Sequence, residues 1–381
     1  MKISAKIILM LLIIAGCSKR IVLNEINLSG DSHAMFGKTP ERNFYNDFTL
    51  GDSLKLKWET DTKGSYKNTS LIFLDEIMFA SDLAGRVYAF NIESGKGAGE
   101  EKNKGAVSIA PVLYNSIIVY VVEEFKEKYS TIYFYDYYTG DYINEHIING
   151  SCGNELIKTD DAILLISENG ILYNYNLSGN ERWKLDTQSK VRCVPALTGD
   201  TFIFGSVTGE ITAVSLSRQK VIYKNKISDR IQSGITIENG RGYVGDDAGY
   251  LYCFDIADGE VIWSFDTGAK IVSIPVMNDE DLFVGNLSGD LFSLDKKNGE
   301  MNWLNETGGI INTTPLLFSD YLVQPDLFKK IHFVDIENGE IDRQIETDGR
   351  MKLSPVYFNG VIYFGMDKGE ILAYELLGGD K

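Results

Sequence analysis

The sequence predicts an all-β protein, an eight-bladed β-propeller of four-stranded antiparallel blades whose last blade is closed by an N-terminal strand. Three observations carry this prediction. A short strand motif recurs eight times, turn residues sit at fixed offsets within each repeat, and the array begins and ends on incomplete units.

The motif is a turn residue followed by alternating aliphatic and aromatic positions and, in most copies, a terminal acid or amide. It occupies Gly85–Asn91, Ser130–Asp136, Gly170–Asn176, Gly209–Ser215, Gly249–Asp255, Gly289–Asp295, Lys329–Asp335 and Gly369–Glu375. The start-to-start spacings are 45, 40, 39, 40, 40, 40 and 40 residues. A period of this size marks units that bury their apolar faces only against one another, so 381 residues describe one domain built eight times rather than two or three.

Within a repeat the order is constant and clearest at residues 271–308. An Ile271–Val276 run is followed by Asp281–Gly285, Asp290–Asp295 and Gly299–Trp303, each short, β-rich and bounded by Gly, Asn or Asp. Asp258-Gly259, Asn298-Gly299 and Asn338-Gly339 fall between the third and fourth strands, where a tight hairpin requires positive φ. The recurring acids Asp255, Asp295 and Asp335 end the third strands and read as turn caps. Pro111, Pro195, Pro275, Pro315 and Pro355 recur in the first strand. Proline donates no backbone hydrogen bond, which suits an edge strand facing a central channel with no neighbour. Trp183, Trp263 and Trp303 recur near the start of the fourth strand and predict packing between blades. Before the first full unit, Leu54–Thr60 reads as a fourth strand without the other three. After the last, the chain stops on a third strand without a fourth, so the two should pair and remove the free edges.

The N-terminus predicts processing. Lys2 and Lys6 precede an apolar run from Ile7 to Ala15, too short for a comfortable membrane span, and the run ends in Ala15-Gly16-Cys17. Small residues before a cysteine resemble the bacterial lipoprotein processing box, with an ordinary cleaved signal peptide or a buried leader as the alternatives. The expected divisions are a signal peptide at 1–16, a lipidated tether at 17–32 beginning at Cys17, and the propeller at 33–377. Removal of the signal peptide takes the formal charge from −17 to −19. That balance argues against DNA, RNA or anionic lipid as the main partner. His33, His146 and His332 are the only histidines, which disfavours imidazole-rich metal sites.

Three cysteines remain after lipidation: Cys152, Cys193 and Cys253. An odd number forbids complete pairing. Cys152 and Cys193 lie in first strands of adjacent repeats and could pair if their Cα atoms come within about 7 Å, whereas Cys253 takes a position held elsewhere by Ala or Ser and reads as a small buried filler.

The glycine-led strand motif, the Asp-Gly-Glu-Val-Ile-Trp run at 258–263 and the strand-one proline resemble the quinoprotein-type, PQQ-like β-propeller repeat. With the lipoprotein box and eight units, the chain is similar to lipoprotein propellers of the outer-membrane β-barrel assembly machinery. Residues 33–43 resemble the lead-in such propellers carry before their closing strand. The resemblance covers about residues 33–377. It implies a monomeric, non-catalytic scaffold without cofactor or metal, anchored by lipid in an outer membrane and facing the periplasm. The implied partner is an envelope protein, specifically the barrel-assembly complex. It also implies partner contacts through loops of the middle blades bearing leucines, an arginine and acids. Here Arg192, Asp229 and Arg230 match that charged part, and the leucines are missing. Two other readings are a propeller that binds another envelope protein or a polysaccharide, and a quinone-dependent dehydrogenase. The second would need a singular convergence of carboxylates, which the periodic background does not offer.

The departures from periodicity are the remaining candidates. The 45-residue spacing comes from Glu123–Ser130, expected as a longer charged hairpin, and directly after it Tyr133, Tyr135, Tyr137, Tyr138 and Tyr142 crowd together. Alternation is expected to bury about half of these rings and to leave Tyr135 or its neighbours as exposed contacts, since tyrosine is enriched at interfaces, with blade packing as the alternative. Lys329-Lys330 reads as a solvated bend.

Overall fold

A computed structural model describes residues 19–23, 32–51, 53–124 and 126–377. Cys17 and the expected signal peptide lie outside them. The described residues form eight sheets in a ring, each a meander running outward from the channel. Blade 1 comprises Ile72–Leu74, Ile77–Ser81, Arg86–Asn91 and Gly97–Lys102. Blades 2 to 7 follow in sequence with the same order, ending on Ile341–Glu346. Blade 8 comprises Val356–Phe358, Val361–Gly365 and Glu370–Leu376 and is completed by Leu54–Asp61, with Trp58 opposite Ala373. The predicted closure is therefore the observed one.

One face of the ring carries the hairpins between strands 1 and 2 and between strands 3 and 4. The other carries the turns between strands 2 and 3 and the connections from blade to blade. The repeat pattern sets each blade's burial: second and third strands such as Asp281–Gly285 and Asp290–Asp295 are almost wholly buried, while fourth strands alternate. All five recurrent prolines stand immediately before first strands, for example Pro315 before Leu316–Phe318. The predicted third-to-fourth hairpins are present, Gly299 at φ 75° and Gly339 at φ 75°. Asp295 Oδ1 accepts from the Lys297 amide at 2.7 Å, the capping expected of that position. Lys329 departs from the repeat: it adopts φ 67° where the equivalent residues of six other blades are glycine.

Glycine in these hairpins does a second job. A Cβ on Gly299 would fall 2.6 Å from the Trp263 ring, and one on Gly95 2.7 Å from the Trp58 ring. The fourth-strand tryptophan of one blade thus lies flat on the hairpin of the next. Trp58 and Trp303 donate their indole N–H to the Ile92 and Ile336 carbonyls at 2.7 and 2.9 Å. Trp263 and Trp303 are 9% and 8% exposed, which places them in the seams as the sequence predicted.

The inner edges differ from expectation. The first strands were expected to face an open channel, and instead they have partners. Residues 32–50 cross the hairpin-side mouth: Ser32–His33 pairs antiparallel with blade 1, and Tyr45–Asn46 pairs parallel with blade 7. Between these, the carbonyls of Ala34, Pro40 and Glu41 accept from Leu113, Leu197 and Ile237 of blades 2, 4 and 5. Phe36 and Phe44 seal the middle as an edge-to-face pair at 5.3 Å. Further in, the blades join one another, as where Ile274 donates to Thr314 Oγ1 and Ser354 donates to the Thr69 carbonyl. Backbone groups left free by short inner strands are satisfied in this way.

Candidate protein-interaction site

The charged residues singled out in the sequence lie on the face opposite the lead-in, where connections between blades meet the turns between strands 2 and 3. Val191 and Ile231 are the buried pegs of two successive connections; each donates its amide to the preceding blade, to Glu168 O and Ser206 O at 3.0 Å. The neighbouring residues therefore project outward in register. Arg192, exposed, pairs with Glu168 at 3.4 Å. Asp229 is fully exposed and stands 3.9 Å from Lys226. Arg230 is exposed, and its carbonyl accepts from the Asp247 amide. Asp247 itself accepts from Gln232 at 2.6 Å and pairs with Lys270 at 2.8 Å. The structure thus puts Arg192, Asp229 and Arg230 on one face along blades 4 and 5 without direct contact among them. Pairs so exposed contribute little to folding, which leaves them free for another surface.

Tyr135 is a correction. It is fully buried rather than exposed, and its hydroxyl donates to the Ile21 carbonyl at 2.6 Å and contacts Glu101 at 3.0 Å. Burial and the Glu101 charge push its hydroxyl pKa well above the ordinary tyrosine range. The reason is a packing layer absent from the repeat pattern: Lys19–Leu23 runs against the outer strand of blade 1 and covers the ring. The exposed rings of this cluster are Tyr138 and Tyr142, at 53% and 41%.

Two buried ionisable residues went unremarked in the sequence. Arg42, wholly buried at φ 66°, donates to the carbonyls of Phe36, Pro195 and Leu156, the last two at 3.0 and 2.9 Å. Burial lowers its pKa to about 10. Glu155 lies deeper in the channel, where it accepts from Thr69 Oγ1 at 2.5 Å and the Ala110 amide at 3.0 Å, joining blades 1, 2 and 3. Burial pushes its carboxyl up to about 7, against the opposing pull of the Thr69 hydrogen bond and Arg42.

Among the described residues one acid–histidine pair resembles enzyme geometry. Asp326 and His332 meet at 2.9 Å, both fully buried, with Gln344 on the other ring nitrogen at 3.1 Å. Blade 1 has Asp82 and Tyr88 in the same relation at 2.8 Å, so the pair is the turn-bracing device of the repeat. Among the described residues no group of three or more His, Cys, Asp or Glu side chains could hold a metal ion. Cys152, Cys193 and Cys253 are free, buried thiols, and no Cys152–Cys193 bond forms. Burial raises the Cys193 thiol to about 12, consistent with an inert core residue.

Comparison with known proteins agrees with this architecture. Residues 208–381 match the family described as outer membrane protein assembly factor BamB. The protein of that name from Yersinia pestis is 23% identical over 219 residues, 50% of this chain and 55% of that protein, so the match spans about half the relative's length. The crystal structure of BamB from Moraxella catarrhalis superposes with a TM-score of 0.69 at 16% identity, covering 85% of this chain and all of that one. The quinohemoprotein alcohol dehydrogenase of Comamonas testosteroni superposes with a TM-score of 0.74 at 10% identity over 92% of this chain and 81% of that one. At these identities the two superpositions show a shared fold.

Proposed function

We propose that this chain is a non-catalytic scaffold of the cell envelope, an accessory in assembling β-barrel proteins into an outer membrane, held there by lipid on Cys17 and facing the periplasm. The observation that carries the reading is the match of residues 208–381 to the BamB family. The Arg192, Asp229 and Arg230 face supports it as the contact surface. There, exposed charges of both signs stand on rigid blade connections, an arrangement that steers and registers a protein partner more than it stabilises the fold. A connection held at its base by buried pegs loses little entropy when a partner docks. The dehydrogenase likeness rests on fold alone, and the conspicuous acid–histidine pair belongs to turn architecture.

The test is capture of the lipidated protein from its own envelope after mild crosslinking, beside a Cys17→Ala control, with partners identified by mass spectrometry. Recovery of the barrel-forming assembly subunit, reduced by the double charge reversal Arg192→Glu with Asp229→Lys, is the expected result. Reproducible recovery of a different envelope protein or a polysaccharide, without that subunit, would overturn the assembly role and leave the scaffold intact.

A further inference from the structure

The seam between blades 1 and 2 is built differently from the tryptophan-packed seams. The strand position that holds Trp58, Trp263 and Trp303 elsewhere holds Gly99 in blade 1, opposite Ala89. The missing side chain is supplied from far away in sequence. Ile21 is fully buried over Gly99, where a Cβ would fall 2.7 Å from the Ile21 Cα, and Val22 lies on Gly140, the hairpin glycine of blade 2. Backbone bonds fasten the segment at both ends: Glu100 donates to the Lys19 carbonyl at 2.8 Å and Leu23 donates to the Tyr137 carbonyl at 2.7 Å. Between them the Ile21 amide donates to Glu101 Oε1 at 3.2 Å, and Arg20 pairs with Glu101 at 3.4 Å while lying over the Tyr135 and Tyr142 rings.

From this we infer that the outer edge of the blade 1–blade 2 seam is the surface the protein lays against the lipid bilayer. The inference rests on the lipid anchor at Cys17 in the function proposed above. Only Ser18 separates Cys17 from the docked Lys19, and two residues of chain reach about 7 Å. Acyl chains attached there leave the protein at this seam, with no long tether to let the ring tumble. The chemistry of the surroundings fits a headgroup layer. Arg20, Lys63 and Lys102 are half-exposed and gather around the outer strand of blade 1, where they neutralise Glu100 and Glu101 in a chain that is strongly acidic as a whole. Tyr138, 53% exposed, lies in the hairpin that receives Val22, and Tyr142 lies beside Arg20; both are amphipathic rings suited to a bilayer interface. The occupant is therefore a phospholipid surface, and the charged face of blades 4 and 5 is left to a protein partner.

Fluorophore quenching on vesicles tests this with the full mature chain. The native thiols other than Cys17 are buried, so single cysteines introduced by Tyr138→Cys, Lys102→Cys and, on blade 6, Leu304→Cys accept a label selectively. Each lipidated protein is bound to phosphatidylethanolamine–phosphatidylglycerol vesicles carrying a headgroup quencher. Lipidation is read separately by intact mass and vesicle flotation. The expected result is several-fold stronger quenching at positions 138 and 102 than at 304, and loss of that difference in Ile21→Asp with flotation unchanged. Equal quenching at all three positions in protein shown to be lipidated overturns the orientation alone. Persistence of the difference in Ile21→Asp overturns the docked segment as its cause. Absence of lipid on Cys17 overturns the anchor and the orientation with it.

Discussion

The seam between blades 6 and 7 and the seam between blades 1 and 2 solve one packing problem with different parts of the chain. In the first, Trp303 covers Gly339 and donates to the Ile336 carbonyl, with blades only one repeat apart in sequence. In the second, Gly99 contributes nothing, and Ile21 and Val22 arrive from the N-terminus to fill the gap. A third case is the seam between blades 7 and 8. There the last blade has no third-to-fourth hairpin of its own, and Arg343, at the tryptophan position, lies 4.2 Å over Phe333 and donates to the Gly51 carbonyl. Local repeats thus build most of the ring, and the non-repeating N-terminus completes it where repetition fails. Seams of the first kind form between neighbours in sequence, whereas the others draw on segments farther away along the chain.

The sharpest way to break that contrast is to delete Leu54–Asp61. This strand pairs along the whole of Glu370–Leu376, and its removal leaves the last blade with a free edge and the ring open. The expected outcome is loss of a single cooperative unfolding transition, read by far-UV circular dichroism in urea. Next in size are the seam fillers. Trp303→Ala should destabilise by about 4 kcal/mol and Ile21→Ala by about 3 kcal/mol, since both empty well-packed sites. Urea unfolding gives the two values, and hydrogen exchange separates their kinds. Ile21→Ala should release the amides of residues 21 and 23 first, whereas Trp303→Ala should loosen blades 6 and 7 together. A uniform loss of protection in both variants would erase the distinction between local and N-terminal seams.

The channel end of the lead-in gives a pH-dependent version of the comparison. Glu155 has its carboxyl raised from an ordinary value of 4.5 to about 7, so the folded protein holds its proton more tightly than the unfolded chain does. The stability this contributes is fully present below about pH 4.5 and is lost as pH rises through about 7. His33, whose burial lowers its pKa to about 3, works in the opposite direction, losing its contribution as pH falls below 6.5. Comparison with Glu155→Gln isolates the carboxyl: the variant should lose less stability between pH 5 and pH 8 than the parent, measured as urea midpoints. An unchanged difference would mean that Glu155 is not held protonated. The smallest effect is on the opposite face, where Arg192→Ala should change stability by no more than about 0.5 kcal/mol by thermal unfolding. A larger loss would make the Arg192–Glu168 pair structural and weaken the case for that face as a contact surface.

Much of the architecture was legible because it is periodic. Eight motif copies set the number of blades, Gly299 and Gly339 announced hairpins, Trp263 and Trp303 announced seams, and the unmatched strands at the two ends announced their own pairing. The motif, the hairpin glycines and the tryptophans are local and repeated, so they carry their meaning in their spacing; the closing pair of strands is what the count of repeats leaves over. The candidate site was legible only as charge. Arg192, Asp229 and Arg230 could be placed on connections, and the ring geometry then aligned them on one face.

What tertiary structure alone decided lies in the segments that do not repeat. Tyr135 alternates like its neighbours, and nothing within its strand says that Lys19–Leu23 will cover it. Arg42 and Glu155 look like ordinary charges until the lead-in crosses the channel mouth and shuts them away from water. Gly99 carried the one available hint, a glycine where the register has tryptophan, but a missing side chain does not say what fills its place. A repeat is read from residues near one another in sequence; single contacts such as Ile21 with Glu101 or Arg42 with Glu155 leave no period behind.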